Sequence, residues 1–139
     1  MLVLDTNHMS EIIQQTSTGR ALIERLDQSN VPLATTIISL EEMLRGWMAR
    51  VRRERDPVAA IPLYGKLQQI TELAEHWIIL PWDMAAATWL RQLSTNRLRI
   101  GTMDLKIASI AIANNATLLS RNLRDFQRIP NLKAEDWLE

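Results

Sequence analysis

Short apolar runs recur along the chain, each followed by a polar capping residue and then by apolar positions at helical spacing. Leu2-Val3-Leu4 runs directly into Asp5-Thr6-Asn7. A run without alternation suits a strand buried on both faces, hence a parallel sheet. Thr6 or Asn7 is expected to cap a helix through Ser10-Glu11-Ile12-Ile13. A second helix is predicted from about Gly19 to Gln28, with Leu22, Ile23 and Leu26 at helical spacing, ended by Ser29-Asn30. Val31 to Thr36 reads as the next strand.

Leu40, Met43, Leu44 and Trp47 then fall at i, i+3, i+4 and i+7, one face of a helix that continues to about Arg55. Asp56-Pro57 marks a boundary, because proline suits the first turn of a helix. A long helix from about Val58 to Glu75 follows, its first half weakened by Pro62 and Gly65. Trp77 to Pro81 reads as a third strand, and Asp83 caps a helix through about Asn96. Thr102 is expected to cap another, Met103 to Asn114, which is almost wholly apolar after Lys106. Thr117 to Ser120 is a fourth buried strand, and Ile129 to Trp137 a short terminal segment. Strands alternating with helices predict one α/β domain over residues 1–139, with a mostly parallel sheet and helices on both faces.

Composition narrows the chemistry. The 139 residues include no Cys and two His, which excludes disulfides, a thiolate nucleophile and Cys-bound zinc and disfavours His-based sites. No apolar run approaches the roughly 20 residues of a membrane span. The first residues reach a carboxylate without a basic stretch, so a signal peptide is not expected and a cytoplasmic protein is. Sixteen basic residues balance sixteen acidic ones, yet the distribution is uneven. Five Arg (45, 50, 52, 53, 55) stand against the single acid Glu54. Arg121, Arg124 and Arg128 surround Asp125.

The acids carry the functional signal. In open parallel sheets the site forms at the carboxyl ends of the strands. Asp5 follows the first strand, Glu42 lies just inside the helix after the second, and Asp104 falls in the first turn of the most apolar helix. Ser120, Arg121 and Asn122 follow the fourth strand, with Asp125 three positions on. Carboxylates brought together repel one another, and a divalent cation relieves the conflict. All-oxygen ligands suit Mg²⁺ or Mn²⁺, which activate water for attack on phosphate. Taken singly, each residue has a plainer use: Asp5 as a helix cap, Glu42 as a solvated helix former, Asp104 as a complement to the helix dipole, Asn122 and Asp125 as loop formers. The joint arrangement is what favours an active site.

Four segments resemble, in order, the motifs of PIN-domain ribonucleases, and in particular the VapC-type toxins of toxin–antitoxin modules. They are Leu2-Val-Leu-Asp-Thr-Asn7, Ser39-Leu-Glu-Glu-Met-Leu-Arg-Gly46, Gly101-Thr-Met-Asp-Leu-Lys-Ile-Ala108 and Leu118-Leu-Ser-Arg-Asn-Leu-Arg-Asp-Phe126. The resemblance runs through Glu135-Asp-Trp137 and implies a three-layer α/β/α PIN-like fold with a metal-dependent endoribonuclease activity. It assigns Asp5, Glu42 and Asp104 to the family's three principal acids; Glu42 is preferred to Glu41 because it stands four residues before Gly46. Asn122 stands where many members carry Asp, and Asp125 is the nearest carboxylate, matching the variant Asn-x-x-Asp-Phe. Thr6, Ser120 and Asn7 match supporting positions. Asp5 and Asp104 are thereby expected as metal ligands, with Glu42 and Asp125 acting directly or through water, on Mg²⁺ or Mn²⁺. RNA as substrate, a homodimer and a VapB-type antitoxin are implied in the same way.

Arg121 and Arg124 flank this site and are expected to hold phosphate, whereas the Arg45–Arg55 cluster is equally an RNA path or a solvated helix face. His8 reads as a polar residue of the cap region and His76 as structural. Trp77 and Trp82 are expected in the core, and Trp47 and Trp89 in the core or at a partner surface. Two other functions compete. A catalytically silent PIN-like RNA-binding or assembly module would not need buried acids. A phosphatase with Asp5 as nucleophile would want a second Asp at the position of Asn7.

Overall fold

Leu2–Leu4, buried at every position, form β1 of the computed structural model, which describes residues 1–138; the last residue of the predicted domain lies outside that description. The chain continues through α1 (Thr6–Ile13), α2 (Ser17–Ser29), β2 (Leu33–Thr36), α3 (Ile37–Arg53), α4 (Ile61–His76) and β3 (Ile78–Leu80). It ends with α5 (Met84–Ser94), α6 (Thr102–Ala113), β4 (Thr117–Leu119), α7 (Leu123–Phe126) and β5 (Lys133–Glu135). The five strands lie in the order β3-β2-β1-β4-β5, and every pairing is parallel.

Strand alternation sorts the core into two layers. Val3 and Leu118 face a cluster built from Leu93, Ile107, Ile110 and Phe126. Leu2, Leu4 and Leu119 face the opposite cluster, with Met9, Ile13, Leu22, Met43 and Ile70. Helices α1 to α4 therefore cover one face, and α5 to α7 the other. The expected three-layer α/β/α architecture stands, and the sheet is wholly parallel rather than mostly so. Among the described residues no helix is long and apolar enough to cross a membrane.

Several boundaries differ from the sequence reading for local reasons. The cap of α1 is Asp5, not Thr6 or Asn7: its carboxylate accepts from the His8 N–H at 3.3 Å. Helix α6 begins at Thr102 itself after Gly101, with no side-chain cap bond. Asp83 caps α5 as expected, accepting from Ala86 N–H at 3.0 Å. Lys133–Glu135 pairs with β4 as an edge strand, although its polar sequence carries no strand signal. Gly19 sits where α2 crosses α1, and a Cβ there would lie 2.1 Å from the Glu11 carbonyl oxygen. Trp77 packs against the second cluster, whereas Trp82 is exposed rather than in the core. His76 is exposed too, its ring bonded only to the Glu72 carbonyl one turn earlier.

Candidate active site

Strand order reverses direction between β1 and β4, the switch point where ligands bind in open α/β sheets. β1 and β4 stop in register at Leu4 and Leu119, and the Asp5 N–H still reaches the Leu119 carbonyl at 3.0 Å. Asp5 is thus carried to the rim on a rigid strand end and is almost wholly buried. Its carboxylate sits at the N-terminus of α1, where the helix dipole favours negative charge.

The second acid arrives from β2. Thr36 closes that strand and caps α3 by accepting from the Ser39 N–H at 2.9 Å. One turn further, Glu42 faces α1 and accepts a 2.6 Å hydrogen bond from the Thr6 hydroxyl. The third acid, Asp104, lies in the first turn of α6. Its carboxyl is held above the usual carboxylate value by burial first, then by the charges of Glu42 and Asp5, and by Asp125; the Asn122 hydrogen bond acts the other way. Mutual influence of that kind requires the four acids to share one neighbourhood.

Asn122 ties the remaining acid in. Its side-chain amide donates to Asp104 and to Asp125, each at 3.2 Å. Its backbone N–H donates to Ser120 Oγ at 3.0 Å, and Ser120 is fully buried. Asp125 also lies 3.7 Å from Arg128, and Phe126 beside it is fully buried, which fixes α7 against the core. Asn7 Oδ1 accepts from the Arg121 N–H at 3.3 Å and so joins the β1 and β4 loops. The Arg121 guanidinium lies 3.5 Å from Glu11, and Arg124 is exposed.

Asp5, Glu42, Asp104, Asn122 and Asp125 are therefore brought together, with Thr6, Asn7 and Ser120 as their supports. Among the described residues, no three carboxylates or imidazoles form a ready-closed metal cage. Neutral donors occupy part of the set instead: Thr6 on Glu42, and Asn122 between Asp104 and Asp125. This suits Mg²⁺, which keeps several waters and takes only one or two direct carboxylates. The side-chain atoms of this set able to meet a cation are all oxygens, as a hard cation prefers, since the Asn122 amide nitrogen only donates hydrogen bonds.

His8 plays a larger part than its sequence context suggests. Fully buried rather than a simple cap residue, it lies 2.9 Å from Asn7 Oδ1 through Nδ1 and 3.2 Å from the Trp137 backbone nitrogen through Nε2. A lone His next to a cap gave no signal for this; only the return of the chain end beside β1 creates it.

The chain matches the PIN domain family over residues 2–132. It is 28% identical over 140 residues to ribonuclease VapC1 of Haemophilus influenzae, covering 97% of this chain and 96% of that protein. A shorter match, 54% identical over 46 residues and about a third of each chain, is to ribonuclease VapC2 of Rickettsia felis. Among solved structures, VapBC2 from Rickettsia felis bound to a promoter DNA fragment superposes with a TM-score of 0.77. It is 28% identical, with 98% of both chains covered.

Proposed function

The chain belongs to the PIN-domain family, and from that premise we propose that it is an endoribonuclease toxin that hydrolyses RNA phosphodiesters with the help of Mg²⁺ or Mn²⁺. The observation that carries this reading is the gathering of the acids at one strand edge, with Glu42 held by Thr6 and with Asp104 and Asp125 bridged by Asn122, beside the nearly buried Asp5. Nothing in plain binding calls for four acids at one strand edge. The VapC names of its relatives support RNA as the substrate. The VapBC complex supports a VapB-type antitoxin as partner, and a homodimeric toxin acting in the cytoplasm is part of the same proposal.

Asp5 and Asp104 would hold the cation, with Glu42 and Asp125 reaching it directly or through water. A cation held there would supply charge for the phosphate and acidify a water molecule. Glu42, whose Oε2 is fixed by the Thr6 hydroxyl at 2.6 Å, would orient that water and take up its proton. Asp125 and Asn122 close the pocket beside Asp104. Arg121, on the loop after β4, and Arg124, in α7, would hold the backbone phosphates. In-line attack of that water with the 3′-oxygen leaving would give the 5′-phosphate and 3′-hydroxyl ends that the family resemblance implies.

Labelled RNA incubated with the wild-type protein and with Asp5→Asn, with and without Mn²⁺, tests the proposal. Asn caps a helix about as well as Asp, so the variant keeps its fold. Cleavage by the wild type alone, and only with metal, is expected. Equal cleavage by Asp5→Asn removes the assignment. RNA bound but never cut by the wild type selects the silent binding module instead, and a parallel phosphatase assay checks the third reading.

A further inference from the structure

A groove of about 340 Å³ runs between α1 and α3, and one end of it is formed by the Thr6–Glu42 pair. Both helices follow parallel strands and run away from the acid-bearing rim together. Glu42, Gly46, Arg50 and Arg53 stand at i, i+4, i+8 and i+11 on the face of α3 that lines it. By helical rise this stripe is about 16 Å long. Ser10 on α1 faces it from the other side. Gly46 leaves the middle open, since a Cβ there would meet no atom within 4 Å.

The arginine-rich helix is divided by this groove. Arg45 pairs with Glu41 at 2.6 Å and, with Arg52, lines a separate apolar groove. Arg50 and Arg53 line the same groove as Glu42. The Arg50 guanidinium lies 4.6 Å above the Trp47 ring, and Trp47 is half-buried against the core and held in place by it. A cation stacked on an anchored indole, with a second arginine one turn on, matches a base and its adjoining phosphates.

We infer that the α1–α3 groove is the subsite for single-stranded RNA flanking the cleaved bond, with Trp47 and Arg50 taking an unstacked base and Arg50 and Arg53 the phosphates. The groove holds about one nucleotide's bulk and has no room for a duplex, so the substrate is unpaired at this point. The inference rests on the ribonuclease reading and adds where its substrate lies.

Binding to a short fluorescein-labelled single-stranded RNA, followed by anisotropy, tests this in the cleavage-silent Asp5→Asn protein. Arg50→Ala and Arg53→Ala are each expected to weaken binding and lower the salt slope by about 0.7–1. Trp47→Leu, which keeps the core filled, loses roughly tenfold in affinity, and Trp47→Phe retains most of it. Arg45→Ala, on the other face, binds as before. In the active protein the arginine variants raise KM and leave kcat. Unchanged affinity and salt slope in all three groove variants overturn the inference, even where the wild type cleaves RNA. So does intact RNA binding combined with lost affinity for a poly-glutamate peptide, which assigns the groove to a protein tail. Groove-dependent binding by a wild type that never cuts RNA supports the inference and sinks the nuclease reading alone.

Discussion

The imidazole of His8 accepts a 3.2 Å hydrogen bond from the backbone N–H of Trp137, joining α1 to the chain end. A backbone N–H only donates, so Nε2 carries no proton, and Nδ1–H donates to Asn7 Oδ1 at 2.9 Å. Asn7 Oδ1 also takes the Arg121 N–H. One imidazole thus links the β1 corner that bears Asp5, the loop after β4, and the terminal segment.

His8→Ala empties a fully buried site, strands the Trp137 N–H and takes one of two donors from Asn7 Oδ1, so a loss of about 2–4 kcal/mol is expected in denaturant unfolding. RNA cleavage by the folded fraction falls as well, because Asp5 loses a neighbour that fixes its loop. His8→Phe, which keeps the volume, recovers part of the stability and none of the linkage. Wild-type cleavage in both variants would show that the linkage has no bearing on the site.

Gly19 tests the packing beneath the same helix. Alanine is the better helix former by about 1 kcal/mol, and a solvent-exposed site would gain from it. Here the added carbon meets the Glu11 backbone carbonyl, which cannot swing away as a side chain does. Gly19→Ala is expected to lower stability by about 1–3 kcal/mol net. A raised melting temperature would mean that α2 shifts freely against α1.

The sequence made the sheet legible where strands are buried on both faces. Leu2–Leu4 and Thr117–Leu119 are unbroken runs, because a central parallel strand has no solvent side. Lys133–Glu135 was illegible for the opposite reason: an edge strand needs only backbone partners, and β4 supplies them. Asp5 was legible because it follows a strand signal directly, Glu42 because it lies early in the helix after one, and Asp104 because it stands in the first turn of the most apolar helix. The part of Asn122 was not, since its double donation depends on how α6 and α7 approach one another. The arginine cluster likewise showed charge without direction; only the α3 face separates Arg50 and Arg53 from Arg45.

Asp104 makes stability depend on pH in the metal-free protein. Its carboxyl titrates above the ordinary value of 3.8, chiefly through burial and then through Glu42 and Asp5. Between that value and its higher folded value, the folded state holds more protons than the unfolded chain. Stability therefore falls as pH rises through this window and stays lower above it. Asp104→Asn carries no such charge, so in EDTA it is expected to melt higher than the wild type near neutral pH. That advantage fades as pH falls through the same window and is gone below the ordinary value of 3.8, where the unfolded chain is protonated too. Parallel melting curves for the two proteins across the acid range would contradict the origin given for the shift.

Asn122 separates the metal-free from the metal-bound demands of the site. Its amide donates at 3.2 Å to both Asp104 and Asp125, acting as a neutral bridge between two acids. Asn122→Asp removes both donors and sets a further negative charge against them. In EDTA the variant is expected to lose about 1–2 kcal/mol, moderated by the partial exposure of all three side chains. Added Mn²⁺ reverses the balance, because a carboxylate is a stronger ligand for a hard cation than an amide oxygen. Metal that binds only the folded state raises the melting temperature by mass action, so the rise with Mn²⁺ is steeper in Asn122→Asp than in the wild type. Asp104→Asn provides the opposite control, with a smaller rise than the wild type. Equal rises in all three proteins would place the ion outside the reach of Asn122 and Asp104, and the role given to Asp104 would fall with it.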